Sequence, residues 1–93
     1  MSRQETAETL ALEALAWIAA QDDLLGTFLG ATGAAMSDLA RDARDPLFLG
    51  AVLDFLLMDD AWIIGFCDAT GHARTAPAEA RAHLPGGAQM HWT

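Results

Sequence analysis

The sequence predicts an all-α protein that folds as a single compact bundle of about six helices. Alanine, leucine and glutamate, which favour helices, dominate long stretches of the chain. Apolar residues recur at helical spacing and do not alternate with polar ones, so no strand is predicted. Aspartate, serine, threonine and glycine stand where the helices are expected to begin and end. The length of 93 residues corresponds to one small domain.

The first helix is predicted over residues 3–20. Ser2 and Glu5 have the spacing of a capping box, in which each side chain bonds the backbone N–H of the other residue. Leu10 and Trp17 fall on one face of this helix, at a separation of two turns. That face is expected to pack against the rest of the bundle.

The second helix is predicted to begin at Asp22, which has a favoured capping side chain. Phe28 belongs to its buried stripe. Gly33 is expected to end the helix in the left-handed conformation that glycine adopts without strain. A short third helix follows over about residues 36–43, with Met36 facing inward.

The fourth helix begins with Asp45 as its cap and Pro46 in its first turn. Its segment LFLGAVLDFLLM is apolar on nearly every side. Asp59 or Asp60 is expected to cap the fifth helix, which Gly71 ends. Because both helices are so apolar, they are predicted to lie at the centre of the bundle.

The sixth helix is short, with Thr75 as its predicted cap and Pro77 in its first turn. The sequence LPGG then stops the helix. Residues 1–87 are predicted to form the helical bundle domain. Residues 88–93 are predicted to form an extended C-terminal tail, since they show no helical period.

An internal repeat is predicted from two similar phrases. FLGATG occupies residues 28–33 and FCDATG occupies residues 66–71, at an offset of about 38. The register is uncertain by one residue at the aspartate turns. The repeat would divide the chain into similar three-helix halves, about 3–44 and 45–87, neither able to bury its apolar face alone. The alternative is that two helical hairpins have converged on similar caps.

The charge of the chain restricts its partners. Its formal net charge is −8, and all five basic residues are arginines. This charge repels phosphate groups, so nucleic acids and anionic membranes are not expected as partners. The N-terminal segment lacks the pattern of a signal peptide, and Asp54, Asp59 and Asp60 interrupt the longest apolar stretch. We therefore expect a cytoplasmic, soluble protein.

The sequence offers no set of residues typical of catalysis. Cys67 is the single cysteine and sits in an apolar helix, so it is predicted to be buried and unreactive. The acidic pairs Asp22-Asp23 and Asp59-Asp60 are interpreted as helix caps, with a shared site for a hard cation as the alternative. The histidines do not have zinc-binding spacing. Catalytic, cofactor-binding and metal-binding residues are therefore predicted as none.

Four phrases together resemble a known family. They are ETLALEALAWIAAQDDLLGTFLGATG, DPLFLGAVLDFLLMDD, FCDATG and LPGG. They are similar to the domain of unknown function 3572 family of small alphaproteobacterial proteins, and the similarity extends over the whole chain. The resemblance implies a stand-alone, cytoplasmic, helical bacterial protein. It assigns no catalytic residue.

Two functions are expected ahead of catalysis. The first is a non-enzymatic protein-interaction or regulatory module, since the chain is very apolar yet acidic and lacks a catalytic set. The alternative is a small apolar ligand held between the halves. An acidic exterior favours a monomer with another protein as partner, and a homodimer is the alternative. The candidate groove for ligand or partner is formed by Trp17, Phe28, Trp62, Phe66 and Trp92.

Overall fold

A computed structural model describes residues 2–86 of the chain. All regular secondary structure in this part is helical, and it contains no strand, which confirms the predicted all-α class. The Cα radius of gyration is 12.3 Å, and a compact domain of this length is expected at about 12 Å. The helices are α1 (Arg3–Ala19), α2 (Asp22–Thr32), a 3₁₀ turn (Met36–Asp38), α3 (Leu39–Asp42), α4 (Pro46–Leu56), α5 (Asp60–Thr70) and α6 (Ala76–Ala82).

Helix α1 begins with the predicted capping box. The Ser2 hydroxyl accepts a hydrogen bond from the Glu5 backbone N–H at 3.0 Å, and the Ser2 N–H donates to Glu5 Oε1 at 2.9 Å. The side chains that α1 buries follow helical spacing along one face. They are Ala7, Leu10, Ala11, Ala14, Leu15 and Ile18. With this face α1 packs against α2, α4 and α6.

Helix α4 is central, as predicted, whereas the same prediction for α5 was wrong. Six residues of α4 are buried, and its cap Asp45 accepts a hydrogen bond from the Leu47 N–H at 3.0 Å. Helix α5 fully buries only Phe66 and Cys67, and Ile64 is exposed. The second central helix is α1, because its longer apolar face reaches three neighbours. A small bundle has room to enclose few helices completely.

Helix α6 is joined to α4 through Arg81. Its Nε donates to Asp54 Oδ1 at 2.6 Å and its Nη2 donates to Oδ2 at 3.1 Å. Its Nη1 also donates to the Pro85 carbonyl at 3.1 Å. Gly50 gives the guanidinium room, since a Cβ there would lie 3.1 Å from Nη1. The Arg81 side chain is therefore only 12% exposed although it is charged.

The caps of the two acidic turns differ from the prediction in part. Gln21 occupies the cap position of α2 and Asp22 is the first helical residue, so the prediction that Asp22 is a cap was wrong. At the second turn Asp59 is the cap, accepting from the N–H two residues on at 2.8 Å, and Asp60 begins the helix. Thr75 has the cap position of α6, but its side chain makes no capping bond.

The third helical segment is shorter and more exposed than expected. Met36 begins a 3₁₀ turn, and its side chain is 61% exposed. The expectation that Met36 faces inward was therefore wrong. The half-buried Leu39 and Ala43 are the residues of this segment that pack against the core.

Helices α2 and α5 correspond to each other at the predicted offset of 38, from Asp22 to Asp60. Each has 11 residues and ends at a glycine with positive φ, 74° at Gly33 and 84° at Gly71. Their partners do not match, since α1 has 17 residues and α4 has 11. The internal repeat and the domain boundary at residue 87 remain predictions.

No membrane-spanning helix is found within residues 2–86, and the predicted tail is not among the described residues. None of the helices within residues 2–86 combines the length and apolar character needed to cross a lipid bilayer. The predicted tail of residues 88–93 lies outside the described residues, as does Trp92 of the candidate groove.

Candidate functional site

The four aromatic residues of the candidate groove that the structure describes have two different positions. Phe28 and Phe66 are fully buried, whereas Trp17 and Trp62 are half-buried and line a surface pocket. Phe66 and the Trp17 indole form a T-shaped pair, with ring centroids 6.2 Å apart and an interplanar angle of 70°. The structure thus brings the two tryptophans to one pocket, with the phenylalanines as core residues.

Trp62 is held by stacking within the core. Its indole lies nearly parallel to the ring of Phe55, with centroids 4.6 Å apart and an interplanar angle of 18°. Phe55 in turn meets Phe28 edge to face at 5.2 Å. Trp62 lies in the first turn of α5, whose start is fixed by the Asp59 cap. The position of this indole is therefore set by both packing and helix capping.

The pocket between the two tryptophans has a volume of about 490 Å³ and is called the indole pocket here. It lies at the turn from α1 to α2. It is lined by Trp17, Gln21, Asp22, Asp23, Leu24 and Trp62. The Gln21 amide donates a hydrogen bond to the Trp17 carbonyl at 3.2 Å. The charged groups that line the pocket are Asp22 and Asp23.

The chemistry of the indole pocket suits a cation. Indole faces carry negative charge density and attract ammonium and guanidinium groups. Asp22 and Asp23 add two carboxylates, and within residues 2–86 neither of them makes an ion pair. Sequence reasoning assigned these aspartates to helix capping, and it did not anticipate that they would stand beside both indoles.

A second concavity lies between α1 and α6 and is called the α1–α6 cleft here. Its volume is about 610 Å³. Glu13 and His72 meet at its edge, with Oε1 and Nε2 2.8 Å apart, and His72 also stacks on Phe66 at 5.8 Å. The lining residues are Arg3, Thr6, Ala7, Thr9, Leu10, Glu13, His72, Ala76, Glu79, Ala80 and His83. Sequence reasoning missed this cleft, because Glu13 and His72 are 59 residues apart and share no motif.

Cys67 is buried, as predicted, with 3% of its surface exposed. Its Sγ donates a weak hydrogen bond to the Ala73 carbonyl at 3.4 Å. Burial raises the pKa of the Cys67 thiol; the Arg74 charge opposes this increase and Asp68 adds to it. The thiol is therefore protonated at neutral pH. No cluster of three or more histidine, cysteine or acidic side chains within residues 2–86 is arranged to hold a metal ion.

The fold and the pocket define the class of protein: a small all-α bundle with an acidic, indole-lined pocket on its surface. The chain belongs to the family described as "Protein of unknown function (DUF3572)", whose model matches residues 4–87. This match confirms the resemblance seen in the sequence. No curated protein and no solved structure is significantly similar to the chain.

Proposed function

We propose that this protein is a non-enzymatic interaction module that binds a basic segment of another protein through the indole pocket. The observation behind the proposal is that two half-buried indoles share one concave site with two carboxylates that make no ion pair within residues 2–86. An arginine or lysine side chain is the protein group that satisfies both features, since its charge meets the carboxylates and its stem packs on the indoles.

The charge of the whole chain supports a basic partner. With a net charge of −8, the protein attracts positively charged segments over a range set by the ionic strength. A single cation–π contact contributes about 0.5–2 kcal/mol. Several basic residues in the same segment would add to this through the general field, and the pocket would fix the register of the segment.

The indole pocket is also preorganised. Trp17 meets Phe66 at a steep interplanar angle of 70°, and Trp62 stacks on Phe55, so both indoles are held in place without a ligand. A partner would therefore not need to order these side chains, which lowers the entropic cost of binding. The alternative of an apolar ligand between the halves has less support, since Phe28 and Phe66 are enclosed by the core.

A monomeric state and a cytoplasmic location belong to the same proposal. Repulsion between chains of charge −8 opposes self-association. The single buried, free cysteine is compatible with a reducing compartment. Light scattering over a range of salt concentrations tests the first point, and a stable dimer under every condition would contradict it.

Binding to a synthetic arginine-rich peptide tests the proposed function. Calorimetry with the full chain should show saturable binding that weakens as salt is added. A peptide with citrulline in place of arginine keeps nearly the same shape without the charge, and it should not bind. Trp62→Leu should weaken binding by roughly tenfold or more, the equivalent of about one cation–π contact. Circular dichroism checks that this variant is folded.

A matched pair of charge variants separates the pocket from the general field. Asp23→Asn removes a carboxylate of the indole pocket, and Asp38→Asn removes one outside it, next to Arg41. Each variant removes one negative charge, so both make the net charge of −8 less negative by the same amount. We expect Asp23→Asn to weaken peptide binding several-fold more than Asp38→Asn. Equal effects, or unchanged binding in Trp62→Leu, would refute the indole pocket as the binding site.

A further inference from the structure

The α1–α6 cleft is a second site, independent of the indole pocket. The two share no lining residue. The volume of about 610 Å³ lies within the range typical of small-molecule sites, about 300–1,000 Å³. The cleft also combines an apolar floor with charged groups, which is the usual composition of such sites. The apolar floor and the charged groups together define the class of ligand that fits the cleft.

The floor of the cleft is made of short apolar side chains. Ala7 and Leu10 of α1 and Ala80 of α6 line the cleft, and all three are buried. Ala76 lines it as well and is half-buried. Because alanine side chains end at Cβ, the two helices leave a groove above their contact. Leu10 gives this groove one larger apolar surface, which suits a branched or aromatic group of similar size.

Two opposite charges in the cleft have no partner among the described residues. Within residues 2–86, neither Arg3 nor Glu79 makes an ion pair or a side-chain hydrogen bond, and both line the cleft. The other acid of the cleft, Glu13, is already bound to His72 at 2.8 Å. One guanidinium and one carboxylate thus remain available to a ligand.

The hydroxyl groups of the cleft are already engaged as donors. Thr6 Oγ1 donates to the Ser2 carbonyl and Thr9 Oγ1 donates to the Glu5 carbonyl, both at 3.0 Å. Each hydroxyl oxygen keeps its lone pairs and can still accept a hydrogen bond from a ligand. The cleft therefore offers a permanently charged anion-binding group in Arg3, a further N–H donor in His83, and acceptors for an ammonium in Glu79 and the threonines.

We infer that the α1–α6 cleft binds a free α-amino acid with an apolar side chain. The carboxylate of the ligand pairs with Arg3, its ammonium pairs with Glu79, and its side chain lies against Leu10 and the alanines. A ligand with only a carboxylate would meet the like charge of Glu79, and one with only an ammonium would meet the like charge of Arg3. A zwitterion can form ion pairs with both residues. An acidic chain also repels a zwitterion less than it repels a simple anion.

Three ligands of the same shape test this inference. L-leucine carries both charges, L-leucinamide lacks the carboxylate, and isocaproate lacks the ammonium. Each is titrated into the full chain and followed by amide chemical shifts in heteronuclear NMR spectra. L-leucine should give saturable shifts around the cleft, with the other two binding roughly tenfold or more weakly, since each loses one charge-assisted interaction. No saturable shifts with L-leucine, or equal binding by isocaproate, would refute the inference.

Two variants assign the charges to their residues. Arg3→Gln should abolish the preference for L-leucine over L-leucinamide, and Glu79→Gln should abolish the preference for L-leucine over isocaproate. Arg44→Gln removes an exposed arginine outside the cleft and should leave both preferences unchanged. If Arg3→Gln retained both preferences, the assignment would be wrong. These results do not depend on the indole pocket, so the two proposals succeed or fail separately.

Discussion

The indole of Trp17 lies against the backbone of Gly65 in α5. A Cβ at position 65 would be 2.9 Å from Cζ2 of the indole, which is closer than two non-bonded carbon atoms approach. The absence of a side chain lets the Trp17 indole reach the backbone of α5, beside its contact with Phe66. Glycine in a helix interior lowers stability by about 0.5–1 kcal/mol relative to alanine. At position 65 the packing of the Trp17 indole against the backbone offsets this cost.

The first prediction concerns this contact. Gly65→Ala should displace the Trp17 indole and lower the free energy of unfolding, because overpacking, which typically costs about 1–3 kcal/mol, outweighs the gain in helix propensity. Gly26→Ala is the matched control in α2, since a Cβ at Gly26 would have nothing within 4 Å. It should stabilise the fold by up to about 1 kcal/mol.

Urea unfolding and tryptophan fluorescence measure both variants. Gly65→Ala should also change the emission of the folded protein, whereas Gly26→Ala should not. A Gly65→Ala variant as stable as Gly26→Ala would show that α5 can move away from Trp17 without loss.

The second prediction concerns the acidic turns. Asp59→Ala should lower the free energy of unfolding by about 1 kcal/mol, because its carboxylate accepts a backbone hydrogen bond at the start of α5. Asp22→Ala should cost only about 0.3 kcal/mol, since Asp22 acts through the helix dipole and not as a cap. Chemical denaturation measures both. Equal losses in the two variants would contradict the capping difference.

The third prediction uses the titration of Cys67. Burial raises the pKa of its thiol in the folded protein above the ordinary value of 9.0. Above that ordinary value the unfolded thiol loses its proton first, so ionisation favours the unfolded state. The stability contribution is complete below pH 9 and is lost as pH rises through the raised pKa, at no more than about 1.4 kcal/mol per pH unit.

The composition makes this titration easy to isolate. The chain has no tyrosine and no lysine, and histidines of ordinary pKa titrate mainly below about pH 8, so Cys67 is the side chain that titrates at higher pH. Unfolding free energies measured from about pH 7 to pH 10 should fall more steeply for the natural chain than for Cys67→Ala. Parallel curves would mean that the thiol pKa is the same in the folded and unfolded states.

The fourth prediction concerns the link between α4 and α6. Arg81→Ala should lower the free energy of unfolding by about 1–2 kcal/mol, given two hydrogen bonds to Asp54 that are partly exposed to solvent. Arg81→Lys should recover little of this, because an ammonium cannot replace the two-pronged contact. Arg44→Ala, at an exposed position, should stay within about 0.5 kcal/mol of the natural chain. Full recovery with lysine would contradict the geometric explanation.

The sequence by itself determined the helices and most of their ends. The Ser2–Glu5 capping box, the Asp45 cap and the glycine stops at Gly33 and Gly71 all lie where the pattern predicts them. These features depend on hydrogen bonds between residues two to four positions apart and on the conformational freedom of glycine. The burial of Cys67 followed from apolar spacing within one helix. Local interactions of this kind can be read along the chain.

Only the tertiary structure decided which helices are central and which residues share a site. Helices α4 and α5 are both apolar, yet α1 takes the central place beside α4, because burial depends on how many neighbours a helix face meets. The indole pocket joins Trp17 to Trp62, and the α1–α6 cleft joins Glu13 to His72 across 59 residues. These pairings depend on how separate helices pack, and side-chain periodicity within each helix does not encode the relative placement of two helices.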